Sequence, residues 1–314
     1  MKILANIALM VAVGLCVASC NTGIESTKTI KMTKEDRREL APTPEQLLMA
    51  DVASAPLGSW REGKRFVVTD DKASLVLELP QQLLGADSVK LSGRVLEFHG
   101  VSPRLTPGGS DVAMLEFKSD GMRFRYNTSK PFEEAKKSVT GLDLPMMVDL
   151  DLVAEVDSLL RGRQLWILTP LWRDAAGNPL HGRKYVPVTV REVIPGDMVF
   201  PLLVHFDDEN AHPGYIHMNV KAPGGSGAES RLFHTLFSMS DPKTAYPAIL
   251  PEVWTLIQRG VVRPGMTKLE CKLSLGNPNE VDSGHNWDSL LDIWSYQDGT
   301  FLRFQDGLLI DYRR

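Results

Sequence analysis

The segment VHFDDENAHPGYIHMN, Val204 to Asn219, holds three of the chain's seven histidines beside a pair of aspartates. His205 and His217 flank a turn spanning Asp208 to Gly214. Their near-symmetric placement predicts that they face each other across a hairpin, with Cβ atoms about 5 Å apart. With His212 and Asp207 they make a candidate zinc set, because zinc takes neutral imidazole and carboxylate in a tetrahedron. No H-E-x-x-H or C-x-x-C spacing accompanies them, and scattered histidines on a surface hairpin are commonplace. The hairpin account is therefore preferred, and no metal or cofactor is expected. Asp149 and Asp151 in DLDL are a candidate carboxylate pair for glycoside hydrolysis, which needs two acids about 5 to 10 Å apart across a cleft. Acids at a helix start, where they complement the dipole, are the plainer account. Gly224-Gly225-Ser226-Gly227 lacks the Gly-Lys-Ser/Thr of a phosphate loop and the buried strand that feeds a nucleophile elbow, so it reads as a joint. No Ser-His-Asp set is singled out, and an enzyme is not expected.

A binding face is easier to motivate. Trp166 and Trp172 bracket LWILTPLW, with Arg173 and Tyr185 close by. Aromatic and arginine side chains at the mouth of a small β domain are what peptide and glycan grooves use. Trp166, inside an alternating strand, is expected in the core. Trp172, Arg173 and Tyr185 are the candidate binding residues, with Trp172 and Arg173 placed in a surface loop.

These residues need a scaffold, and the chain supplies one by repetition. GKRFVVTD (Gly63 to Asp70) echoes GRQLWILTP (Gly162 to Pro170), and Leu91 to Asn127 echoes Leu180 to Asn219. The period near a hundred residues is too long for a solenoid repeat. It predicts two small β domains of one type, over residues 60–130 and 162–221, each of four or five short strands closed into a barrel that leaves no edge. A helical connector is expected over 131–161, from PFEEAKKS and DLDLVAEVDSLLRG, and a linker over 222–249. The second unit resembles a bacterial SH3-like barrel at the level of pattern, and the first departs by a longer insertion between Thr69 and Leu91.

The net charge of -4 and the lack of a dense basic run give no reason to expect nucleic acid. The first residues are of another kind: Met1-Lys2 followed by the apolar ILANIALMVAVGLCVA reads as a secretory signal over 1–19. It ends in Val17-Ala18-Ser19-Cys20, which resembles a bacterial lipobox. The resemblance implies cleavage before Cys20, lipid attachment to Cys20, and loss of Cys16 with the signal. Residues 20–59 read as a polar tether, with a short helix opened by Thr43-Pro44-Glu45-Gln46. Cys271 is then the one remaining thiol, and its place in an apolar helix position makes it a small buried hydrophobe.

Residues 250–314 contain the most heavily specified helix. Thr267 and Glu270 form a capping box, Met266 and Cys271 a hydrophobic staple, Gly276 a left-handed stop, and Pro278 bars resumption. An earlier helix begins near Pro251 and stops at Gly260, and Asp298-Gly299 and Asp306-Gly307 punctuate a three-stranded meander. Gly265, Met266, Thr267, Leu275, Gly276, Pro278, Trp294, Tyr296, Phe304, Asp306 and Gly307 fall in an order that resembles the small outer-membrane lipoprotein domain of the BamE/SmpA/OmlA kind. That family is similar in architecture to the β-lactamase-inhibitor-protein fold, and its domains bind envelope proteins or phospholipid without doing chemistry. The whole chain also resembles multi-domain lipoproteins of gut-type Bacteroidetes.

The expected fold is thus mainly β with α+β: two SH3-like barrels, then an ααβββ domain. The expected protein is a non-enzymatic adaptor, held by lipid in the cell envelope at the outer membrane and acting on other envelope proteins. Cell-wall glycan or peptide binding through the barrels, and a hydrolase with an inter-domain site, are the alternatives.

Overall fold

A computed structural model describes residues 41–83, 89–106, 109, 111–179, 183–221, 231–286 and 289–314. The expected signal segment, Cys16, Cys20 and the expected Gly-Gly-Ser-Gly joint lie outside the described residues. Thr43–Arg314 form one compact unit. Its architecture is mainly β, with three antiparallel sheets of six, six and four strands.

The first sheet contains β1 (Arg65–Val68), β2 (Leu77–Glu78), β3 (Val95–Leu105), β4 (Asp111–Ser119), β5 (Met122–Pro131) and β6 (Met147–Asp149), in the order β2-β5-β4-β3-β1-β6. The second contains β7 (Gln164–Ile167), β8 (Arg173–Asp174), β9 (Val186–Pro195), β10 (Leu202–Asp208), β11 (Pro213–Met218) and β12 (Phe237–Ser238). Its order, read from the matching edge, is β8-β11-β10-β9-β7-β12, the same path with every number raised by six. Strand alternation is the local cause: Phe66 and Val68 turn inward on β1, as Leu165 and Ile167 do on β7. The match extends to an irregularity. The β3–β4 ladder skips His99, between Phe98↔Phe117 and Gly100↔Glu116. The β9–β10 ladder skips Arg191, between Val190↔Phe206 and Glu192↔His205.

Each sheet is finished by a strand from the region expected to be connector or linker. After β5 comes α2 (Phe132–Lys137) and then β6, which pairs with β1; after β11 comes α4 (Phe233–Leu236) and then β12, which pairs with β7. Residues 131–161 and 231–239 are therefore parts of the sheets' packing, while Tyr246 and Ile249 pack with the C-terminal core. β6 runs directly into α3 (Leu150–Leu160), capped by Asp149, whose carboxylate accepts from the Asp151 amide and from Lys64 Nζ at 2.7 Å. Leu152, Val153, Val156 and Leu160 repeat at helical spacing, and they pack into the second core although α3 follows the first sheet. The expected tether also ends early. Thr43 and Gln46 close a capping box on α1 (Pro44–Leu48), Glu45 accepts from the Met239 amide at 2.8 Å, and Val52 and Leu57 are buried in the second and first cores respectively.

The C-terminal part is α5 (Pro251–Gln258), α6 (Lys268–Leu275) and a meander of β13 (Glu280–Asn286), β14 (Ser289–Ser295), β15 (Phe301–Gln305) and β16 (Leu308–Arg313). The meander has four strands rather than three, since polar Glu280–Asn286 pairs with β14. Both hydrogen bonds of the Thr267–Glu270 box form, and Met266 and Cys271 are buried together against Trp294 and Phe304. Gly276 ends α6 with φ 91° and ψ -169°, a backbone region open essentially to glycine but different from the left-handed helical one expected.

Candidate functional site

Strand parity sorts the predicted binding residues. β8 pairs with β11 so that Arg173 lies opposite Tyr215, on the outer face of the second sheet. Its neighbour Trp172 must then point inward. It is 1% exposed, donates from Nε1 to the Arg183 carbonyl at 2.7 Å, and packs on Phe206 at 5.5 Å between ring centroids. The surface position expected for Trp172 is thus corrected, and Trp166, expected in the core, is half-buried.

Tyr185 is also not a free surface residue. Its ring meets Trp254 edge-on at 5.7 Å, its hydroxyl donates to the Leu273 carbonyl at 3.3 Å, and its own carbonyl accepts from Gln258 Nε2 at 3.0 Å. Burial, with a smaller contribution from Tyr246, pushes its hydroxyl up to about 12. Tyr185 is a joint between the second sheet and the C-terminal helices.

The histidines do not face each other. The turn closes with the Asp208 amide donating to the His212 carbonyl, and the Asp208 carboxylate takes the amides of Asn210 and His212, each at 2.9 Å. This turn sets His205 opposite Tyr215 and His217 opposite Leu203, two residues off the expected register. Among the described residues no group of three or more His, Cys, Asp or Glu is placed to hold a metal ion. His212 lies at the turn, 3.6 Å from Asp208, and Asp207 is held by Arg191.

What the register builds instead is an aromatic stripe on the outer face. His205 stacks on Tyr215 at 5.7 Å and 20° between planes; Tyr215 meets His217 edge-on at 6.0 Å; His217 meets Phe200 at 5.9 Å. Arg173 stands at one side with Nη1 donating to the Gly177 carbonyl, and Arg231 lies over Phe200 at 4.4 Å. Asp197 approaches His217 at 3.7 Å. Burial lowers the His217 pKa, and nearby Arg231 and Arg173 add to this against the opposing pull of Asp197. His217 is therefore neutral at neutral pH, able to stack and to both donate and accept one hydrogen bond. The His205 Nε2 is buried and has no hydrogen-bond partner among the described residues.

Because the two sheets share one path, register identifies the equivalent positions in the first. Where the second sheet carries His205, Tyr215, Arg173 and His217, the first carries Glu116, Arg125, Glu78 and Asn127. Arg125 pairs with Glu78 at 3.2 Å, an ordinary solvated ladder. The stripe is thus not something the sheet needs in order to fold. Sequence inspection named Arg173, His205 and His217 but missed Tyr215, which was legible as an aromatic beside the buried Ile216 on an alternating strand, and Phe200, which precedes β10 and which alternation does not announce.

Cys271 is fully buried, and burial together with the Glu270 charge pushes its thiol up to about 12, which makes it inert. No helix among the described residues is long and apolar enough to cross a membrane. Comparisons with protein-family models, with curated proteins and with solved structures give no match to this chain.

Proposed function

We propose that this protein is a lipid-anchored, non-enzymatic adaptor of the cell envelope, tethered through Cys20 at the outer membrane, whose second β domain holds another envelope protein on its aromatic face. The observation that carries this reading is the contrast between duplicated sheets: the same scaffold bears a charged ladder on one copy and the His205–Tyr215–His217–Phe200 stripe, flanked by arginine, on the other. Tyrosine and arginine on a rigid strand pair provide large contact area at little entropic cost, which is the composition of interaction hot spots.

The finer fold reading has support of the same kind. Each sheet runs strand, long loop, three-strand meander, helical turn, closing strand, and the closing strand returns to the first; that order is the one an SH3-like barrel follows. Two helices leading into an antiparallel meander agree with a BamE-like domain. A second reading, cell-wall glycan binding, is favoured by the near-parallel His205 and Tyr215 rings, 20° between planes, since sugar rings stack on aromatic planes.

The test is capture from detergent-solubilised envelope with the lipidated chain, beside Tyr215→Ala and an Arg125→Ala control on the first sheet. The adaptor reading expects one protein enriched by the wild type and the control and lost with Tyr215→Ala. Enrichment of wall fragments in place of protein, again lost with Tyr215→Ala, moves the assignment to glycan. Enrichment that ignores Tyr215 removes the face from consideration.

A further inference from the structure

A cleft of about 500 Å³ lies on the outer face of the first sheet, walled on one side by the turn after β2 that carries Gln81 and Gln82. None of the residues lining it belongs to the aromatic stripe or its flanks. Its floor is the β4–β5 hairpin. There Phe117 and Phe124 pair inward, so Lys118 and Arg123, the next pair toward the turn, face outward into the cleft. The register sets these two cations directly opposite each other, with Cβ atoms about 5 Å apart, an arrangement that destabilises a sheet when the charges are alike. The equivalent pair in the second sheet is Asp207 with Pro213, so the shared path does not require it.

The carboxylates nearby are engaged elsewhere. Glu78 takes Arg104 and, at 3.2 Å, Arg125; Glu116 accepts from Ser102 at 3.0 Å; Asp120, in the turn, takes Arg94 at 2.7 Å. Glu97 stands opposite Lys118 on β3, yet no described residue forms an ion pair with Lys118 or with Arg123. His99 Nδ1 lies 2.5 Å from Glu62 Oε1 and 3.1 Å from Lys118 Nζ, and one ring nitrogen serves only one of them. With its proton on Nδ1 it donates to Glu62, the shorter of the two contacts, and Lys118 is left without an acceptor.

Charge and lining restrict the occupant. A carboxylate or a phosphodiester brings one negative charge and leaves one of the two cations uncompensated. A phosphate monoester brings about two at neutral pH, on oxygens that can meet an ammonium and a guanidinium together. The amides of Gln81 and Gln82 both donate and accept, which suits a hydroxylated body, and the volume is that of a small-molecule site.

We infer that the cleft on the first sheet binds a phosphate monoester, with the phosphate between Lys118 and Arg123 and a hydroxylated body toward Gln81 and Gln82. The site lies outside the face assigned to the adaptor's partner, so either assignment can fail alone.

Calorimetric titration of the full-length chain in detergent tests this. Glycerol 3-phosphate is one probe; micelles doped with phosphatidate, against phosphatidylcholine, are the other, and the pair distinguishes a soluble ester from a lipid headgroup. Glycerol 3-phosphate is expected to saturate with a dissociation constant of about 0.1 to 1 mM. Saturation by phosphatidate alone would assign the same site to a headgroup. The methyl diester of glycerol 3-phosphate should bind about tenfold weaker, and Arg123→Gln should weaken the monoester by a similar factor. Without ligand, Arg123→Gln and Lys118→Met should melt no lower than the wild type, because each relieves the like-charge pair. No saturable binding of either monoester, a diester that binds as well, binding indifferent to Arg123→Gln, or a lowered melting midpoint in both variants would each overturn the inference.

Discussion

His99 and Arg191 occupy the same β-bulge, one in each sheet. Register places Phe98 with Val190 and Phe117 with Phe206, so the skipped residue falls at one point of a shared path. The side-chain bonding is duplicated with its charges rearranged: His99 meets Lys118 at 3.1 Å, and Arg191 meets Asp207, the residue equivalent to Lys118. A bulge lets one strand carry an extra residue without turning every later side chain to the wrong face.

That role is separable from the side chain. Arg191→Ala removes one exposed ion pair and should cost under about 1 kcal/mol in a denaturant melt. Deleting Arg191 leaves Val190 and Val193 two residues apart, so Val188, Val190 and Val193 keep the inward face in an unbulged ladder and the second sheet should still melt cooperatively. Loss of the cooperative transition on deletion would show that the bend at the bulge is needed as well as the phase of the side chains.

Trp172 and Gly214 form a size pair. A Cβ on Gly214 would meet Trp172 Cε3 at 3.0 Å and Phe206 Cε2 at 3.1 Å, and the positions equivalent to Trp172 and Gly214 in the first sheet hold Leu77 and Phe124. Gly214→Ala should cost about 1 to 3 kcal/mol by overpacking, and Trp172→Leu about 2 to 4 kcal/mol by leaving a cavity. Trp172→Leu with Gly214→Phe restores the first sheet's pairing, so the double variant should be more stable than the sum of the single losses with Gly214→Phe. Simple additivity in the denaturant cycle would refute the pairing.

The Tyr185 joint has a graded prediction. Tyr185→Phe loses one hydrogen bond and should cost about 1 kcal/mol; Tyr185→Ala also empties the contact with Trp254 and should cost about 3 kcal/mol. The same joint implies that truncation before Pro251 exposes Tyr185 and Lys184, so point variants are the cleaner probes of the C-terminal part.

Lys184 gives a pH dependence. It is 7% exposed, its amide donates to the Gln258 carbonyl, and burial lowers its pKa from the ordinary 10.5 to about 8. Between those values the unfolded chain binds more protons than the folded one, so stability should rise with pH from about 8 to about 10.5. Below that window the lysine is charged in both states and its burial cost is fully present. Lys184→Met should therefore gain about 2 to 3 kcal/mol at pH 7 and flatten the curve; an unchanged slope would place the titration elsewhere.

The Thr267 cap is a purely local test. Thr267→Ala should lower stability by about 1 kcal/mol, with Thr267→Ser recovering most of it.

The features the sequence determined by itself are those whose physics closes within one or two turns. Thr43 with Gln46, and Thr267 with Glu270, announce helix starts because both partners of the capping bonds lie three residues apart. Val253, Trp254 and Ile257 announce the buried side of α5 for the same reason of proximity, and the hundred-residue echo foretold that the β units would be two of a kind. The tertiary structure alone decided the rest. β6, β8 and β12 have three, two and two residues, too few to show alternation, and each becomes a strand because a distant mate offers it an edge. Trp172 turns inward, and Arg173 outward, only once β8 meets β11. The histidines likewise face Tyr215 and Leu203 because the hydrogen bonds of the Asp208 turn, rather than the arithmetic of sequence numbers, fix the register. A side chain's face depends on which strand its own strand finds, and that choice is made by long-range packing.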